Sequence, residues 1–353
     1  MQKTTLFLFL LLIVQSLHSQ NFSNAGLPWS KNCTTNKPFK KKGIYNGGSP
    51  ITQAKLDDAL SSISVSANEV KELIIQNGTF DIFEPITIPS NVLLTGKGYT
   101  EIHIKDDPGA GFKINTKTRS GIENMIITNF TEINCCRGSG SNFSIAITNS
   151  TNCWVKGVTS YYGGPTGHIS ISGGGNNEVS GCYIYNNRCA GDIGGGRAYG
   201  ITLTNSNLNL VVHNVLSYLR HHILLNGTSQ DNVIAYNKTS NTIFKNWQDA
   251  VFCDYCKFSN PFGFPTPSYL ICNYLAQIVV SAGQIDFHGG DDANNLGPLS
   301  NLIEGNCLDG CIKYYKGNKG NNQGGDIIRF NTSNGNPIGN SDIIFETQPI
   351  MAP

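Results

Sequence analysis

One six-residue pattern, Asn-x-apolar-x-x-(Asn/Gly), recurs along most of the chain. It reads NVLLTG from Asn91, NMIITN from Asn124, NCWVKG from Asn152, NLVVHN from Asn209, NVIAYN from Asn232 and NLIEGN from Asn301. A looser copy, NEVSGC, starts at Asn177. Successive starts are 33, 28, 25, 32, 23 and 69 residues apart, and the last interval is three times 23. Short β-rich segments recurring every 20–30 residues or so mean a solenoid, in which each coil packs only on its neighbours. Function is then presented along an exposed face.

Of the 353 residues, 14% are charged and the net charge is +1. That balance argues against nucleic acid or an anionic membrane surface as partner. Residues 1–20 read as a secretory signal: Lys3 supplies the positive start, and Leu6 to Val14 is an apolar run too short for the ~20 residues a membrane span needs. The expected location is extracellular. Nine sequons agree with export: Asn21, Asn32, Asn77, Asn129, Asn142, Asn149, Asn226, Asn237 and Asn331. The 11 Cys fit an oxidising compartment, with Cys182/Cys189, Cys253/Cys256 and Cys307/Cys311 as candidate staples. Zinc at Cys253-x-x-Cys256 would need a second matching pair, which the sequence lacks.

Residues 21–50 are polar and read as an extended leader. The spacing of Leu56, Ala59, Leu60 and Ile63 predicts a helix over 52–63 with Thr52 as N-cap, covering the end of the first coil. Residues 51–348 then form one β-helix domain. Early strands are expected at Glu72–Gln76, Ile86–Ile88, Val92–Leu94 and Ile102–Ile104. From Ser144 an alternating strand joins the Asn pattern: SIAIT at Ser144, HISIS at His168, GITLT at Gly200 and HILLN at His222. Asn in the repeat tolerates the left-handed corner and can bond along the stack as a ladder. Two insertions break the period. Asn186–Arg197 carries Asp192 and Arg197. Residues 241–267 form an aromatic loop with Phe244, Trp247, Phe252, Tyr255, Phe258, Phe262 and Phe264, suited to stacking on sugars or to packing on itself.

The spacing thus predicts an all-β, right-handed parallel β-helix, its hand less constrained than its coil. The chain also resembles the pectate-lyase-like β-helix superfamily. AGLPWS at Ala25, the capping helix and LIIQNGTFDIFEPITIPSNVLLTGKG from Leu73 look like the usual opening of these folds. SYLRHHILLNGTSQDNVIAYN from Ser217, DFHGG from Asp286 and SNLIEGN from Ser300 resemble secreted β-helix proteins of unsettled activity. The resemblance spans about residues 25–345.

That resemblance implies action on uronic-acid polysaccharides. β-Elimination needs a base for the C5 proton, a cation (Ca²⁺, Arg or Lys) to neutralise the carboxylate, and help for the leaving oxygen. Inverting hydrolysis needs carboxylates several ångströms apart. Aligning the alternating strands on Ile169, Ile201 and Ile223 stacks His168, Gly200 and His222 in one column, with His221 in the column of Gly167 and Tyr199. Arg220 precedes them, and the next ordered coil supplies Asp286 and His288. Arg220, His221, His222, Asp286 and His288 are therefore the expected catalytic patch. His168, Arg197, Trp247 and Tyr255 are expected to touch the glycan. Bonding of these polar groups to turns and glycans is the structural alternative. The superfamily's Arg-x-Pro-x-x-Arg base motif is missing. Gly290-Asp291-Asp292 is similar to the Gly-Asp-Asp of polygalacturonase-like hydrolases, but the companion motifs are absent. Asp291 and Asp292 read as a solvated loop, with hydrolysis or Ca²⁺ binding as the alternative. The expectation is a monomeric, lyase-type carbohydrate-active protein; a non-catalytic glycan-binding or matrix protein and a hydrolase are the rivals.

Overall fold

The structure is a computed structural model. It describes residues 24–27, 39–45, 52–65, 69–105, 110–129, 143–163, 166–187, 199–219, 221–242, 285–288, 297–308, 312–316, 326–333, 336–338 and 343–347. The expected signal segment and the aromatic loop lie outside these residues, apart from the backbone of 241 and 242.

Three sheets run side by side along the chain, of ten, ten and nine strands among the described residues. Within each sheet a strand pairs with its counterpart one coil away. All pairings are parallel except the last in the second sheet, Thr332–Ser333 with Asn336–Pro337. One coil visits the sheets in order: Trp154–Lys156 in the first, Thr159–Gly163 in the second and Gly167–Gly175 in the third. This is a right-handed parallel β-helix, the hand strongly favoured for parallel strands joined by a crossover. The alternating strands expected from the sequence form the third sheet, and the Asn pattern marks the first. The expected strand at Ile102–Ile104 belongs to the second sheet, whose later strands (Thr159–Gly163, Tyr183–Asn187, Val215–Leu219, Lys238–Thr242) the repeat pattern did not mark.

The core is a stack of inward apolar side chains. In the first sheet it is Leu94, Ile122, Val155, Val179, Val211, Ile234 and Ile303, all fully buried. Each is the middle residue of a short strand held between two tight corners. Helix α1 (Gln53–Ser62) has Thr52 as its cap, with Lys55 N–H donating to Thr52 Oγ1 at 3.4 Å. It buries Leu56 and Leu60 against the first coil, as its periodicity predicts. Gln53 fixes it, accepting from the backbone of Phe83 and Glu84 and donating to Glu84 O. The leader does more than extend. Phe39–Tyr45 pairs with Val70–Ile75 as the first strand of the first sheet. Ala25 and Leu27 are buried, Leu27 packing with Val70, Leu93 and Trp154, and Gly26 N–H bonds to Leu208 O at 2.6 Å.

The Asn pattern resolves into two jobs on adjacent residues. One column at the entry to the first sheet has left-handed backbone: Asn91, Arg119, Asn152, Asn176, Leu208, Asp231 and Ser300, with φ between 54° and 60°. The next residue in each coil points inward, and from Cys153 onward it is a rung: Cys153, Asn177, Asn209, Asn232, Asn301 and Asp326. Asn209 donates through both its backbone N–H and its side-chain amide to Asn232 Oδ1, each at 2.9 Å. A second ladder, Cys182, Asn214, Asn237, Asn306 and Asn331, follows the corner leaving the first sheet. Corner to corner and rung to rung are both five residues apart. One sequence pattern therefore covered Asn91 and Asn152, which are corners, and Asn209, Asn232 and Asn301, which are rungs. The 69-residue interval is a single coil, because Asn232 bonds directly to Asn301 Oδ1.

The ladders correct two expectations. Cys182 and Cys307 are free thiols, so they do not form the staples expected with Cys189 and Cys311. Cys153 and Cys182 occupy the first rungs, and their thiols donate to backbone carbonyls. Burial pushes Cys153 up to about 11 and Cys182 up to about 12, so both stay protonated at neutral pH. Asn237 and Asn331 are buried rungs whose amides are already bonded, so these two sequons offer no free amide for a glycan. Cys253 and Cys256 lie outside the described residues.

Candidate functional site

The third sheet has the register that the sequence predicts: Ile169 pairs with Ile201, Ile201 with Ile223, and Gly167, Tyr199 and His221 stand in one row. His168, Gly200 and His222 follow as the next column. That column points into the coil. A Cβ on Gly200 would come within 2.8 Å of Leu216 and Leu219, and both histidines are fully buried.

His168 is held inside the corner. Gly163 N–H donates to its Nε2 at 3.3 Å, which leaves the ring proton on Nδ1, facing Ser160 Oγ at 2.8 Å. Burial lowers its pKa to about 3. Its ring points into the coil, against Ser160 and Gly163, so the expected contact role for His168 is not what its position offers. His222 shares that inward column and is separated from the outer patch for the same reason.

This ring gives a pH prediction. In the unfolded chain a histidine titrates near 6.5. Between about pH 3 and 6.5 the unfolded chain binds a proton that folded His168 refuses. Stability therefore rises with pH across that window, by about 1.4 kcal/mol per unit from this group. Urea denaturation should show about 2 kcal/mol of its contribution lost between pH 7 and 5. His168→Asn, which keeps a donor toward Ser160, should flatten that slope; an unchanged slope would contradict the assignment.

The row of His221 leaves the core on the opposite side. Phe143 and Tyr199, which share it, pack with Leu224 in a cluster of their own. Leu224 pairs with Asp286 in the next coil, while Ile223, Leu225, Ile285 and Phe287 point inward. His221 and Asp286 are thereby brought together on the outer side of the third sheet, Nδ1 to Oδ2 at 2.5 Å. The Tyr199 ring lies against His221 with centroids 5.2 Å apart. Both members of the pair are enclosed, at 1% and 0% exposure. A carboxylate on Nδ1 orients the ring and directs Nε2 to take up a proton. His288 pairs in register with Asn226, two residues on from Asp286 along the same strand. Arg220, Arg197, Asp192, Trp247, Tyr255, Asp291 and Asp292 lie outside the described residues. Among the described residues no group of three or more His, Cys, Asp or Glu is placed to hold a metal ion.

A second polar cluster was not singled out in the sequence. On the outer face of the second sheet, His103 Nδ1 lies 3.2 Å from Asp81 and its Nε2 3.0 Å from Glu101. For Glu101, burial pushes upward but hydrogen bonds from Tyr99, His103 and Thr128 outweigh it, holding the carboxyl below its usual range. The same row continues through Thr128 to Tyr161 and Tyr185, whose rings are 4.1 Å apart. The available signal was the alternation of Glu101 and His103 with Ile102 and Ile104.

No family model matches the chain, and no curated protein matches it in sequence. Among solved structures it is similar to the pectin methylesterase PemA of Erwinia chrysanthemi, at 13% identity and TM-score 0.47, over 89% of this chain and 94% of that one. It is also similar to an alginate lyase from Paenibacillus sp. str. FPU-7, at 11% identity and TM-score 0.45, over 87% and 98%. A third, Geobacillus virus E2 ORF18, matches at 14% identity and TM-score 0.41 over 74% of this chain, which spans about half of it, 49%. Among the described residues no helix is long and apolar enough to cross a membrane.

Proposed function

We propose that the protein is an extracellular carbohydrate-active β-helix that cleaves a uronic-acid polysaccharide by β-elimination at the His221–Asp286 pair. The observation behind this reading is the contact between the two side chains, supplied by separate coils 65 positions apart in sequence and meeting on the outer side of one sheet. His221, oriented by Asp286, takes the C5 proton on Nε2. The electron pair forms the C4–C5 double bond and expels the glycosidic oxygen, which takes a proton from an acid. His288 and Arg220 flank the pair in the strand order, and are assigned to the leaving oxygen and to the uronate carboxylate respectively. Secretion by residues 1–20 supplies the extracellular setting.

The enclosure of the pair favours a second reading, a glycan-binding or matrix β-helix without turnover. A panel of alginate, polygalacturonate, pectin and glucuronan distinguishes them, read by the ultraviolet absorbance of the new double bond. Elimination gives rising absorbance with at least one uronan. Binding without any rise supports the second reading and removes the first.

A further inference from the structure

The corner between the first and second sheets is also a left-handed column. Its occupants in successive coils are Asn124, Gly157, Gly181, His213, Tyr236, Gly305 and Phe330. Asn and Gly are the residues that tolerate this backbone. His213 is an occasional occupant of it, whereas Tyr236 and Phe330 each bear a cost of about 1–2 kcal/mol there. What they gain is position: their side chains leave the coil at its edge. Tyr236 is 51% exposed and Phe330 78% exposed, and His213 is exposed as well.

These rings are arranged, not scattered. His213 and Tyr236 are stacked, with centroids 5.5 Å apart and planes 15° from parallel. Tyr236 leans over Gly305 in the next coil, where a Cβ would come within 2.6 Å of its ring. Its hydroxyl donates to Glu304 Oε1 at 2.8 Å. Arg329 pairs with Glu304 at 2.6 Å, and its guanidinium lies 5.6 Å from the centre of the Phe330 ring. The result is a ridge of aromatic rings with the Glu304–Arg329 pair along one side.

We propose that this ridge is a binding site for a neutral β-linked pyranose chain, separate from the third-sheet pair. The ridge is one residue wide, too narrow for the ~800 Å² per partner that a stable protein interface buries. Coils repeat about every 4.8 Å, close to the length of one pyranose unit, so the ridge offers aromatic surface along a chain running parallel to the helix axis. Ring faces take the apolar faces of sugars, and Glu304 and Arg329 meet their hydroxyls. Glu304 and Arg329 cancel each other's charge, so the pair gives no net attraction for a uronate. Glu304 is held below the usual carboxylate range by its bonds to Tyr236 and Arg329, so it remains an acceptor at neutral pH.

The test is electrophoresis of the full chain in gels containing a soluble neutral β-glucan, a uronan or no polysaccharide. Tyr236→Asn and Phe330→Asn remove a ring while keeping a residue suited to the backbone. The wild type should be retarded by the β-glucan, and each variant should bind it about three- to tenfold more weakly. Melting temperatures equal to or above wild type would show that the loss is not unfolding. The proposal is overturned if the β-glucan does not retard the wild type, or if both variants are retarded as strongly. A concentration-dependent dimer abolished by the same variants would assign the ridge to a second copy instead. Because the β-glucan arm is independent of turnover at His221, either reading can fail without the other.

Discussion

Asp286→Asn is expected to lower kcat on the cleaved uronan by about 10²–10⁴-fold, the usual contribution of a positioned general base. An amide can still contact Nδ1, but it no longer stabilises the imidazolium that forms when His221 takes the proton. His221→Gln removes the base and should fall in the same range. The double variant should lose little more than either single one, because the two residues act as a unit. KM separates this role from a merely structural one: it should change far less than kcat in Asp286→Asn. A proportional loss in both singles and a multiplied loss in the double would mean that the residues act independently.

The second large effect concerns the frame. Asn232 Oδ1 accepts from Asn209 N–H and Nδ2, while its Nδ2 donates to Ser206 O and Asn301 Oδ1. Asn232→Ala leaves these buried groups without their partners, and each such loss costs about 1–3 kcal/mol. A total near 4 kcal/mol is expected in urea denaturation, allowing for non-additivity. Asn232→Asp should be at least as damaging, since it accepts but cannot donate to Ser206 O or Asn301 Oδ1. At the end of the same ladder the requirement is reversed. Asp326 Oδ1 only accepts, from Asn301 N–H at 2.7 Å and Nδ2 at 3.0 Å. Asp326→Asn should therefore cost less than about 1 kcal/mol. Equal costs at both positions would show that the ladder's direction is immaterial.

These two effects divide what was legible in the sequence. The coil was readable because a repeat forces the same local solution at each turn. Ile169, Ile201 and Ile223 gave the correct register because each must meet the core. The spacing of five was readable too, but its meaning was not. Left-handed corners and ladder rungs lie on neighbouring residues and both favour Asn, so a pattern alone merged Asn152 with Asn209. The 69-residue interval was legible as an interruption of the stack, since the aromatic loop and the Asp286–His288 segment fall inside it, but only the bonds from Asn232 to Asn301 show that it counts as one coil.

The site was legible in part. Alternation along the strand places His221 and His222 on opposite sides, but which side is inside depends on the corner before Ile223. There the chain turns His222 toward the interior and His221 outward, so adjacent histidines part company. The sequence placed Asp286 in the next ordered coil, but its register with Leu224 and its contact with His221 are visible only in the structure. The aromatic ridge was hidden because Tyr236 and Phe330 sit where a corner usually takes Gly or Asn. Only the backbone shows that they occupy the same column.

Elimination at the His221–Asp286 pair leaves a distinct mark on its products. Its most direct measurement is the mass of the oligosaccharides released from the active uronan in heavy-oxygen water. Elimination predicts unsaturated products, lighter by one water and carrying no heavy oxygen from the cleavage, and their disappearance in His221→Gln. Saturated products that have taken up heavy oxygen, or unsaturated products undiminished in that variant, would contradict it.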